Sequence, residues 1–158
     1  MDARRRAMAG ALAGAGGTLV LSGLREAWSR VGLVFETAPM QVIDRAEEVF
    51  TEEGFPPLTR RLLPVLAHVA YGVGTGVAFG LLRRESAGKN VEAAVGSSLG
   101  VLAWGAGWAS WLPLTGVHSP PWRQQSTKVL LPVIDHAVFG AAWGLIFSAL
   151  THARNDGT

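Results

Sequence analysis

The chain has 158 residues, a formal net charge of +2, 20 glycines and no cysteine, which excludes disulfides, thiolate metal sites and cysteine nucleophiles. Its mean hydropathy is +0.26 with only 16% charged residues, values suited to a membrane bundle rather than a water-soluble domain. The basic residues fall at the ends of apolar runs instead of forming a stripe, and this argues against nucleic acid as a partner.

The first apolar run, Ala7 to Leu24, is rich in small residues and follows Arg4, Arg5 and Arg6. A basic start before an apolar run also suits a secretion signal, but the internal repeat described below favours a retained helix. The loop from Arg25 to Arg61 has a helical centre. Pro39 suits a first helical position, Met40, Ile43, Ala46 or Glu47, and Phe50 recur on one face, and Gly54, Pro56 and Pro57 stop the run, so the spacing predicts an amphipathic helix on the membrane surface or over the bundle.

Three further spans follow: Leu62 to Leu82, Ala93 to Leu114 and Val129 to Leu150. At 1.5 Å per residue about twenty residues cover the roughly 30 Å hydrocarbon layer. Trp104, Trp108 and Trp111 form a stripe on the third span. With Trp28 and Trp122 it reads as an interfacial aromatic belt, the alternative being the wall of a ligand cavity.

The second and fourth spans echo one another, LLPVLAHVAYGVGTGVAFGLL against LLPVIDHAVFGAAWGLIFSAL, with identity at nine of 21 positions. Shifting Gly10 to Trp28 onto Ala93 to Trp111 superposes Gly17 on Gly100 and ends both segments at tryptophan. The predicted fold is therefore an all-α membrane protein, a single domain over 1–158. Two tandem helical hairpins, 7–82 and 93–150, form a four-helix bundle, with the short amphipathic helix in the first outer loop. Two units that each cross twice insert in the same orientation. The basic residues divide seven against seven between the two faces. The arginine triplet before the first helix breaks the tie toward cytoplasmic N- and C-termini.

Gly72 and Gly76, and likewise Gly140 and Gly144, lie four residues apart, on one helix face where they allow close backbone approach. His68 and Tyr71 share that face in one half, and His136 and Phe139 in the other. Pro64 and Pro132 suit first turns, which sets each histidine about one turn inside the same membrane surface. Asp135 has Ala67 as its counterpart, and a buried carboxylate there needs a partner: His136, Arg25, Lys128 or water. Glu36 and His118 lie in the loops on the same side.

The candidate site is thus His68, His136, Asp135, Tyr71 and Glu36. Its readings are structural hydrogen bonding, a proton-responsive or solute-passage site, and ligation of haem or a divalent metal by His68, His136 and Asp135. No nucleophile elbow, Walker loop or zinc-protease motif accompanies these residues, so no enzymatic role and no cofactor is the leading expectation. The expected partners are the lipid bilayer and a second copy or a larger membrane complex.

Four segments also carry a family likeness: Glu36-Thr37-Ala38-Pro39, the span beginning at His68, Trp111 to Gly116 with Ser119-Pro120-Pro121-Trp122, and Asp135-His136. Through them the chain resembles the YagU-like family of small bacterial inner-membrane proteins, whose biochemical activity is unassigned. It departs from that pattern in a shorter first outer loop. The resemblance implies an integral inner-membrane protein with a proposed link to acid tolerance, and it supplies no catalytic residue.

Overall fold

A computed structural model describes residues 1–33, 38–83 and 88–152. Everything regular among them is helical: α1 (Ala3–Arg30), α2 (Ala38–Phe50), α3 (Pro57–Leu82), α4 (Lys89–Ala106), a π-helical turn (Gly107–Trp111), the single turn α5 (Leu112–Leu114), a 3-10 turn (Pro121–Arg123) and α6 (Ser126–His152). Three of these helices, α1, α3 and α6, are long and apolar enough to cross a membrane. Large apolar side chains face outward along the long helices, among them Leu12, Leu66, Leu102 and Leu130. A water-soluble bundle would place polar residues there.

The helices begin earlier than the apolar pattern suggests. Asp2 caps α1 by accepting from the Arg5 backbone N–H at 2.8 Å. That bond holds the Asp2 carboxyl below the usual carboxylate range, so the cap persists at neutral pH and is lost as pH falls through the lowered value. Pro56 precedes α3 and Ser126 opens α6, which leaves Pro64 and Pro132 inside their helices instead of in the first turn. Each is buried. A proline in a membrane helix frees the carbonyl four residues before it and is tolerated where neighbours cover the break. His68 and His136 consequently sit about three turns from their helix starts, roughly 15 Å along the axis rather than one turn.

Close approach is set by glycine. A Cβ on Gly10 would strike the Gly76 carbonyl, and one on Gly14 the Gly72 carbonyl; on the other pair, Gly96 meets the carbonyl of Gly140, and Gly144 that of Glu92. Thus α1 lies on α3 and α4 on α6 with backbones in contact, and α1 also packs along α6, where Gly17 faces the Phe139 ring. In lipid there is little hydrophobic gain from helix association, and such contacts supply the dispersion that replaces it. The remaining core is aromatic: Phe79 of α3 meets Trp143 and Phe147 of α6 edge-on, with ring centroids 4.7 and 5.1 Å apart.

The amphipathic helix forms where the spacing places it and packs on α3, but its inner face is shorter than the stripe: Ile43 is buried and Ala46 and Glu47 half-buried, whereas Phe50 at its end is 80% exposed. Arg60 of α3 pairs with Asp44 at 2.7 Å and with Glu47 at 3.4 Å. The Arg60 side chain is half exposed, so its ion pairs are screened by solvent and Arg60→Ala is expected to leave the melting temperature nearly unchanged. Limited proteolysis should instead show faster cutting within α2, the sign of a helix released from its seat.

Candidate functional site

At the end of the bundle that carries α2, the helices enclose a cavity of about 630 Å³. Its walls come from the C-terminal part of α1 (Ser22, Arg25), the middle of α3 (His68, Tyr71), the end of α4 with the π-turn (Trp104, Trp108, Trp111) and α6 (His136, Phe139). Ala38, Pro39 and Val42 of α2 cover the loop side. The volume falls in the range of small-molecule sites, and a mostly apolar wall with a few polar groups is their usual character.

His68 and His136 therefore share one cavity. The ring Nδ1 of His136 stands 2.7 Å from the Pro132 carbonyl. A carbonyl only accepts, so Nδ1 carries the hydrogen and the Nε2 lone pair is left for another partner. The Tyr71 hydroxyl donates to the Ala103 carbonyl at 3.2 Å, bridging α3 to α4. Among the sequence candidates, then, His68, His136 and Tyr71 line the cavity, and Glu36 lies outside the described residues.

Asp135 does not line the cavity; it is fully buried behind it. The Trp28 indole N–H donates to its Oδ1 at 2.8 Å, and the Arg25 Nε stands 3.6 Å from its Oδ2. Of the four partners the sequence offered, Arg25 is present, and Trp28 was not foreseen. The arginine thus faces two ways, toward the carboxylate behind it and toward the cavity in front.

Trp28 is accordingly tied to a buried carboxylate rather than serving only as an interfacial ring. Trp104 and Trp108 also leave the belt reading, since both line the cavity. Their indole nitrogens are enclosed without a hydrogen-bond acceptor among the described residues. The His118 ring lies tilted by 36° against Trp108, ring centroids 4.2 Å apart, which connects the loop histidine to the cavity wall. Trp111 keeps an interfacial character, being 47% exposed at the rim.

A second buried carboxylate lies at the opposite end. Glu92, in the first turn of α4, is fully buried. Arg83, just past α3, donates to it from Nε at 3.1 Å and from Nη2 at 2.8 Å. This two-pronged, charge-assisted contact holds the Arg83 guanidinium above its ordinary range. Sequence reading missed it because an acid beside a helix start usually answers the helix dipole alone; the signal was an arginine nine residues earlier, at the end of the preceding span.

For metal ligation, no three His, Asp or Glu side chains stand together among the described residues. The cavity wall offers a metal or haem the two histidines, with the Glu26 carboxylate paired to Arg30. Compared with family models, curated proteins and solved structures, the chain matches none.

Proposed function

We propose that this is a four-span bacterial inner-membrane protein with cytoplasmic termini, and that its cavity is a proton-responsive site for binding or passing a small solute, without catalytic chemistry. The observation that carries the reading is that His68 of α3 and His136 of α6 line one cavity beside Arg25. Histidine has an unperturbed pKa of about 6.5. The groups facing these rings are Arg25 and Glu26 from α1, Tyr71 from α3 and, behind Arg25, Asp135 from α6; the α4 and α2 walls contribute no titratable side chain among the described residues. Protonation would add positive charge beside Arg25, which favours anions and expels cations.

The fourth crossing rests on α4, the π-turn and α5 together. From Lys89 to Leu114 they form a nearly continuous helical rod, roughly 39 Å long at 1.5 Å per residue. The π-turn interrupts it, and with Lys89 and Glu92 at its start the α4 segment alone is less apolar than the other three. Orientation rests on Arg4, Arg5 and Arg6 before α1. The YagU-like assignment belongs to this proposal on the segments quoted above.

Duplication is supported by the glycine contacts. Gly14 against Gly72 corresponds to Gly96 against Gly140, an offset of 82 from α1 to α4, which makes Thr18 rather than Gly17 the counterpart of Gly100 and is one fewer than the 83 separating Trp28 from Trp111. A π-turn is a one-residue insertion in an α-helix, and it lies between these landmarks, where the N–H of Leu112 bonds to the carbonyl of Gly107. Pro113, which has no N–H to continue the α ladder, follows directly. The two halves therefore differ at the cavity wall by one inserted residue, beside Trp108.

Purified protein in liposomes is expected to show proton flux between pH 5 and 8 that falls at least about tenfold in the His68→Ala/His136→Ala variant. Identical flux in both would overturn the proton-responsive reading. The His136 Nε2 left available by the Pro132 bond also favours a second reading, haem ligation between α3 and α6. A Soret band in the purified protein that is lost in the same variant supports it; a spectrum without one rejects it.

A further inference from the structure

We infer that the cavity takes an acidic single-chain amphiphile of the fatty-acid type, admitted sideways from the bilayer through the seam between α3 and α4. This rests on reading the cavity as a ligand site. Extended packing joins α1 to α3, α4 to α6 and α1 to α6, but α3 and α4 share none among the described residues. At the level of the cavity the Tyr71 to Ala103 hydrogen bond spans their seam, and at the far end the Arg83 to Glu92 ion pair ties α4 to the end of α3. Val65 and Val69 of α3 line the cavity and are also 59% and 44% exposed, so the wall is continuous with the lipid-facing surface. On the loop side α2 covers the cavity. The open path is lateral and apolar.

The head group follows from charge. Arg25 faces the cavity, and its partner Asp135 lies behind the wall. The other acid of the wall, Glu26, is exposed and paired with Arg30 at 2.9 Å. The basic groups that face a ligand are one guanidinium and two imidazoles, with the hydroxyls of Ser22, Ser29 and Tyr71 among leucine, valine and tryptophan. A carboxylate with an acyl chain matches both parts: the head gains charge-assisted hydrogen bonds, and the chain stays in an apolar environment throughout.

The test uses the full-length protein in an uncharged maltoside detergent, titrated calorimetrically with oleate and with oleyl alcohol at pH 6. Oleate is expected to saturate at one per chain and to bind at least about tenfold tighter than the alcohol. Arg25→Gln/Asp135→Asn, which removes both charges together, should abolish that preference. Ala103→Trp, placed in the seam, should abolish binding while leaving the helical signal intact. Equal binding of acid and alcohol, absence of saturable binding, or oleate binding unchanged in a folded Ala103→Trp protein would each overturn the inference, as would a dimer that covers the seam and excludes oleate. Histidine-dependent proton flux that survives any of these outcomes leaves the proposed function standing and removes only the ligand class.

Discussion

Asp135→Leu is expected to destabilise the protein by about 3–5 kcal/mol, the cost of leaving a buried charge without its partner. The side chains of Arg25 and Asp135 are 13% and 1% exposed, so Arg25 has little water to turn to when the carboxylate is gone. The Trp28 indole N–H, partly buried, loses its acceptor as well, which adds a smaller penalty than a fully buried donor would. Arg25→Leu/Asp135→Leu should recover most of the loss, because removing both charges also removes their desolvation cost. Thermal unfolding in detergent checks this through a double-mutant cycle. Additive losses, with the double variant the least stable of the set, would show that the two side chains do not act as a pair.

Gly76→Leu is expected to be at least as damaging, with little correctly assembled protein recovered. The added side chain would meet the Gly10 carbonyl and the Gly14 backbone, and backbone cannot rotate aside as a side chain does. Overpacking of ordinary cores costs roughly 1–3 kcal/mol, occasionally more, and here the helices themselves must separate. Gly74 provides the control, since a Cβ there meets nothing within 4 Å. Gly74→Ala should be neutral or more stable by about 0.5–1 kcal/mol. Size-exclusion profiles and melting temperatures of the two variants measure the contrast, and similar behaviour would contradict the close packing of α1 on α3.

The helices were legible because apolar runs of this length have few alternatives, and the glycine spacing showed which faces approach. The ends were not. Pro64 and Pro132 resemble helix starts in sequence, yet burial among neighbouring helices lets α3 and α6 continue through them, which moves His68 and His136 deeper. The face of α2 was misjudged at Phe50 because periodicity identifies a stripe without saying how far the partner helix extends beneath it. The π-turn left no periodic signature at Trp108, and Trp104 shares its stripe, so both read as a belt although they line the cavity. The repeat sets the two histidines at matching positions, and both line one cavity. The pairing of Trp28 with Asp135 was not legible, since it joins residues 107 positions apart and depends on how α1 lies across α6.

We propose that four helices cross the bilayer and hold the Arg25, His68 and His136 cavity in its outer half. The chain has no cysteine, so single cysteines at Asp2, Glu52, Asn90 and Gln125 report sidedness without background. In intact cells a membrane-impermeant maleimide is expected to label the variants at Glu52 and Gln125, and to reach those at Asp2 and Asn90 only after permeabilisation. Labelling of the Asn90 and Gln125 variants from the same side would contradict the claim, because α4 would then not cross the membrane.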